Sequence, residues 1–145
     1  MELNDSLLYK HSIILPNDVQ EVPRLAEFVD EVCEAVGFDM AIAMQINLAI
    51  EEAVVNVMNY GYPVGTVGEV RVDVIANDEW VKFIISDSGT PFDPTLKSEV
   101  DTTLSAEERN IGGLGIHLVR QLMDAIEYQY TDGKNILTLT KKKKS

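Results

Sequence analysis

The stretch Asn47-Leu-Ala-Ile-Glu-Glu-Ala-Val-Val-Asn-Val-Met-Asn-Tyr-Gly61 constrains this chain more than any other. Its apolar residues and terminal glycine predict the second half of a long buried helix. Burying such a helix takes a sheet or further helices on its apolar side. Polar residues interrupt the run at a regular spacing. At about 100° per residue, Gln45, Glu52, Asn56 and Asn59 fall in one narrow stripe, while Glu51 points away from it. Asn is a poor helix-interior residue, because its side chain competes with the backbone for hydrogen bonds. A carboxylate with a carboxamide one turn later can hold a proton acceptor and a metal ligand side by side. Taken alone, the stripe reads first as the solvated face of an amphipathic helix. The segments downstream reverse that order.

Upstream, Leu7 to Leu15 alternates as a strand does. Pro16-Asn-Asp18 ends it and offers helix caps, with Gln20 three residues after Asn17 and Glu21 three after Asp18. Val22, Leu25, Val29, Val32 and Val36 then recur at helical spacing, and Pro23 belongs in the first turn of that helix. Gly37 is placed to close it and Asp39 to cap the next helix, which carries the central stretch and stops at Gly61-Tyr-Pro63.

Beyond a glycine-rich turn at Val64–Gly68, Val70, Val72 and Val74 alternate with Arg71 and Asp73. Trp80 to Ser86 follows as a second strand, paired across Asn77-Asp-Glu79. The polar segment from Pro91 to Ile111 reads as a long loop, with or without a short helix, and such loops are usually functional or mobile. Ile116, Val119, Leu122, Met123 and Ile126 mark a third helix that begins directly at a glycine cluster. A final hairpin turns at Asp132-Gly133, which sets Tyr128 opposite Leu137 and Ile126 opposite Leu139. The chain therefore predicts one α+β domain over 1–145. Its architecture is a two-layer α/β sandwich: a mixed, mostly antiparallel sheet with helices on one face.

Composition narrows the function classes. The 145 residues carry a net charge of −12, and four of the 12 basic residues sit in the run Lys141–Lys144, which reads as a solvated tail or a minor docking element. Such a balance argues against a protein that grips a nucleic-acid backbone. It would suit a basic protein partner, but it reads first as the charge that keeps a protein in solution. A single cysteine, Cys33, excludes an intramolecular disulfide and fits a reducing compartment. No stretch reads as a membrane span and the N-terminus lacks a secretion signal, so the expected location is the cytoplasm.

Three segments could carry chemistry together. Glu52-Ala-Val-Val-Asn56 lies on the long helix. Asp87-Ser-Gly-Thr-Pro91 follows a strand, where Asp87 can accept a hydrogen bond and Gly89 lets a flat ring approach the backbone. Gly112-Gly-Leu-Gly115 runs into a helix whose N-terminal amides can hold phosphate. A nucleotide has matching parts: a base, phosphates and a divalent ion that needs oxygen ligands. Each box is weak alone, and their order and spacing are far more specific.

With these three boxes the chain resembles the GHKL superfamily of ATPases and its Bergerat nucleotide-binding fold. Within it, the chain is most similar to the small bacterial anti-sigma factor serine kinases, and its single-domain length without a dimerisation helix favours that branch. The resemblance implies ATP and Mg²⁺ as cofactors. It makes Glu52 the general base that takes the proton from a serine or threonine hydroxyl, and Asn56 the Mg²⁺ ligand. Asp87 would accept from the adenine amine, Gly89 would line the adenine pocket, and Gly112, Gly113, Leu114 and Gly115 would form the phosphate loop. Arg109 stands where family members present a cation to the terminal phosphate, inside an ATP lid at about 93–111. The implied partners are a sigma factor or similar transcription regulator and a phosphorylated antagonist protein, with no direct nucleic acid and no membrane, and homodimers are common in the family. Pro91, where many members have glycine, and Tyr60, often histidine, depart from the pattern without removing a group the chemistry needs.

Other readings stand beside this one. A non-catalytic module, in which ATP gates a protein interface, would not need Glu52. A detached histidine-kinase ATPase domain is disfavoured, since neither His11 nor His117 lies in a dimerisation helix. The two histidines have no second ligand at metal-binding spacing. Ser86 and Ser88 lack a paired histidine, and Cys33 lies on an apolar helix face as a core residue. No Gly-x-x-x-x-Gly-Lys-Ser/Thr loop is present.

Overall fold

The computed structural model describes residues 9–60, 68–91, 93 and 113–143, and among these residues there are five strands and three α-helices. They are β1 (Tyr9–Pro16), α1 (Val22–Val36), α2 (Met40–Tyr60), β2 (Glu69–Ala76), β3 (Trp80–Asp87), α3 (Gly113–Leu122), β4 (Ala125–Thr131) and β5 (Lys134–Lys142). The strands form one sheet in the order β1-β2-β3-β5-β4, and every neighbouring pair is antiparallel. The mostly antiparallel sheet read from the sequence is thus antiparallel throughout its described strands.

Alternation sets which face the helices cover. Val70, Val72, Val74 and Ala76 of β2 are buried, as are Val81, Phe83 and Ile85 of β3 and Leu137 and Leu139 of β5. The register joins them into continuous rows, with Val72 opposite Ile85 and Ile85 opposite Leu137. Onto these rows α1 brings Leu25, Phe28, Val29 and Val32, and α2 brings Ile46, Ala49, Ile50 and Val54. Each of the larger side chains contributes about 1.5–3 kcal/mol by leaving water. The alternate strand residues, among them Arg71, Asp73, Lys82 and Thr138, lie on the other, more open face.

Local signals placed the helix ends well. Gly37 sits at φ 89°, and its N–H donates to the carbonyls of Cys33 and Glu34, while Phe38 also donates to Cys33. Asp39 Oδ1 accepts from the Ile42 N–H at 2.9 Å, the expected cap of α2. The start of α1 differs from expectation. Asp18 caps a short 3₁₀ turn at Val19–Glu21 through the Gln20 N–H, and α1 begins after that turn with Pro23 in its first turn.

Three further expectations need correction. The third helix ends at Leu122, and Ile126 belongs to β4 instead. The lysine run is not simply a tail: Lys141 and Lys142 end β5, and Lys141 Nζ donates to the Leu122 carbonyl at 2.8 Å, satisfying the end of α3. Met40–Asn59 of α2 does meet the length and hydropathy of a membrane span, with mean hydropathy 1.3. In this fold the helix packs against α1, α3 and the sheet instead, and its inward residues complete the core.

Candidate functional site

Asp87 is the last residue of β3 and lies in the inward phase of the strand, 6% exposed. Its Oδ1 accepts from the Gly89 N–H at 2.8 Å and from the Asn135 Nδ2 amide at 3.1 Å. Among the described residues both donors go to Oδ1 and none to Oδ2. Burial raises the Asp87 pKa above its ordinary value, and the Gly89 N–H and the Asn135 amide pull it part of the way back.

Asn135 was not foreseen, and it organises this corner. It pairs with Asp87 across the β3–β5 ladder and is itself buried. Besides Asp87, its Nδ2 donates to the Thr90 carbonyl at 3.0 Å, and its Oδ1 accepts from the Tyr128 hydroxyl. One carboxamide therefore ties the Asp-x-Gly turn to both strands of the final hairpin. A sign of it was present in the sequence: Asn135 shares the two-residue phase of Leu137 and Leu139, and a polar residue in a buried phase needs partners.

On α2, Asn56 is 7% exposed and Glu52, one turn earlier, is half-buried. The rest of the stripe does not join them, since Gln45 and Asn59 are exposed. Glu51 is half-buried and off the stripe. The helix packs against both β3 and α3, the elements that carry Asp87 and the glycine box. The helix that carries Glu52 and Asn56 thus touches each of the elements that carry the other two boxes. Gly113, Leu114 and Gly115 form the first turn of α3, while Gly112 and Arg109 lie outside the described residues, as does all of the expected lid except Asp93.

The donor set suits magnesium held mainly by a nucleotide. Among the described residues no three His, Cys, Asp or Glu side chains gather into a metal site. An ion beside Asn56 would take its other oxygens from phosphate and water, as Mg²⁺ commonly does. The remaining candidates have other neighbours. His11 lies 4.9 Å from the Phe28 ring and 3.5 Å from Glu31, and His117 contacts Gln121. Cys33 is buried in the core, where desolvation and the nearby Asp30 push its thiol up to about 11.

A two-layer sandwich with these boxes on adjoining elements defines a nucleotide-binding class, and the comparisons agree. Residues 15–141 match the histidine kinase-like ATPase domain, and the chain belongs to that family. It is 30% identical over 105 residues to the serine-protein kinase RsbW of Listeria monocytogenes serovar 1/2a, covering 70% of this chain and 67% of that protein. It is also 30% identical over 95 residues to the serine/threonine-protein kinase BtrW of Bordetella bronchiseptica, covering 66% of this chain and 67% of that one. The solved RsbU and RsbW domains of Rv1364c from Mycobacterium tuberculosis superpose with a TM-score of 0.65 at 19% identity. That likeness covers 92% of this chain and 32% of the solved one, and shows the shared fold.

Proposed function

We propose that this chain is a cytoplasmic ATP-dependent protein serine/threonine kinase of the anti-sigma type. It phosphorylates an antagonist protein and binds a sigma factor or a similar regulator. The observation that carries the reading is the pairing of Glu52 with the buried Asn56 on a helix that packs against the strand ending in Asp87. The kinases RsbW and BtrW, similar over two thirds of their length, support it.

In this reading Asp87 Oδ2 accepts from the exocyclic amine of adenine, while Asn135 and Gly89 hold the carboxylate in place through Oδ1. Backbone amides at the start of α3 receive phosphate oxygens. Asn56 would hold Mg²⁺ through its carboxamide oxygen, and the ion when bound would supply positive charge against the phosphates. Glu52 takes the proton from the acceptor hydroxyl as that oxygen bonds to the γ-phosphorus and the bond to ADP breaks.

Glu52→Ala is the decisive variant. Calorimetry should find ATP binding within a few-fold of wild type, while transfer of labelled γ-phosphate to a serine-bearing acceptor protein falls by about 10²–10⁴-fold. Transfer that survived the substitution would remove Glu52 from the chemistry. A wild-type chain that binds ATP and transfers nothing would instead be an ATP-gated binding module.

A further inference from the structure

Along the first half of α2, Met40 is 80% exposed, Met44 68% and Leu48 43%. Spaced four residues apart, they line one side of the helix for two turns, about 12 Å. Single exposed apolar residues are ordinary, whereas a stripe of large ones on a single helix marks a surface that meets something.

The frame around the stripe is acidic. Asp39 stands at its N-terminal end, and Glu51 falls on the same side of the helix beyond Leu48. Along its flank, Asp30 of α1 holds the Asn47 amide at 2.8 Å. That charge opposes an anionic membrane surface, and it opposes a second copy of the same face. It favours a partner that brings cations alongside apolar side chains. Methionine, flexible and polarizable, suits a surface that adapts to the side chains of a docked helix.

We propose that the Met40–Met44–Leu48 stripe docks an amphipathic helix of a partner protein. That helix carries apolar anchors at i, i+3 or i+4 and i+7, flanked by Lys or Arg. None of these three residues belongs to the nucleotide site, so the proposal stands or fails separately from the kinase reading.

The test uses the full chain with methionine methyls labelled for NMR. The probe is an 18-residue capped Leu/Lys peptide with leucines at the helical spacing above. The expected result is that the peptide shifts the Met40 and Met44 methyl signals while those of the buried Met58 and Met123 stay in place. Affinity should fall at least tenfold in the double variant Met40→Ser/Met44→Ser, which alters no charge, and a Leu/Glu peptide should not bind. The proposal is overturned if the serine variant binds equally well, since charge alone would then explain the contact. It also fails if the Leu/Glu peptide binds as tightly, or if anionic phospholipid vesicles shift the same methyls more strongly. Light scattering that finds a dimer abolished by Met44→Ser would assign the stripe to a second copy. The wild-type methyl shifts decide the matter even if the double variant folds poorly.

Discussion

A buried carboxylate such as Asp87 costs the free protein stability. Its folded-state pKa is raised, so the native state holds the proton more tightly than the unfolded chain does. The cost is full above that raised pKa, is relieved as pH falls through it, and is gone below the ordinary value of 3.8. In Asp87→Asn the amide oxygen can still accept from Gly89 and Asn135, and no charge is buried. The variant should therefore be at least as stable as wild type at neutral pH in urea titrations, and the difference should vanish below 3.8. Nucleotide affinity should move the other way. Losing a hydrogen bond to a charged acceptor costs about 1.5–3 kcal/mol, roughly tenfold to a hundredfold in Kd. A variant that lost stability at neutral pH would show that the charge itself holds the Asp-x-Gly turn. Asp87 was legible because it stands in a motif at a strand end. Asn135 was not, because its role depends on which strand lies beside β3, and that pairing spans 48 residues.

At the scale of elements, the features read correctly are those decided within a few residues. The Asp132-Gly133 turn, with φ of 54° and 76°, sets Tyr128 opposite Leu137 and Ile126 opposite Leu139 as its two-residue geometry requires. Gly37 belongs to the same class. No heavy atom lies within 4 Å of where a Cβ would stand, so Gly37→Ala meets only backbone strain at φ 89°. The expected cost is about 1–2 kcal/mol, seen as a thermal midpoint lower by roughly 3–8 °C. An unchanged midpoint would mean that the junction between α1 and α2 relaxes without αL geometry. Where tertiary contact decides, periodicity misleads. The apolar pattern of α3 runs on to Ile126, yet the helix stops at Leu122, where a lysine from β5 takes its last carbonyl. The same long-range contact turns Lys141 from an apparent tail residue into part of the sheet.

The whole molecule turns on α2, which serves three surfaces at once. Ile46, Ala49, Ile50 and Val54 enter the core, Glu52 and Asn56 would form one edge of the proposed nucleotide site, and Met40, Met44 and Leu48 stay outside. Its high hydropathy follows from supplying two of those surfaces with apolar residues. A nucleotide held between α2, the end of β3 and the start of α3 would bind the folded arrangement alone, because the unfolded chain leaves the three boxes far apart. Ligand at a hundred times its Kd then adds about 2.7 kcal/mol of stability. For a chain of this size that corresponds to a thermal midpoint higher by roughly 5–10 °C. ATP with Mg²⁺ should produce this shift in wild type. In Asn56→Ala the part of the shift that requires Mg²⁺ should disappear, because the substitution removes the oxygen assigned to the ion. Since Asn56 is nearly buried, the variant's own ligand-free midpoint is the reference, and only the increment with nucleotide is compared. An increment equal to that of wild type would take Asn56 out of the metal site and leave Asp87 and the glycine turn to hold the nucleotide.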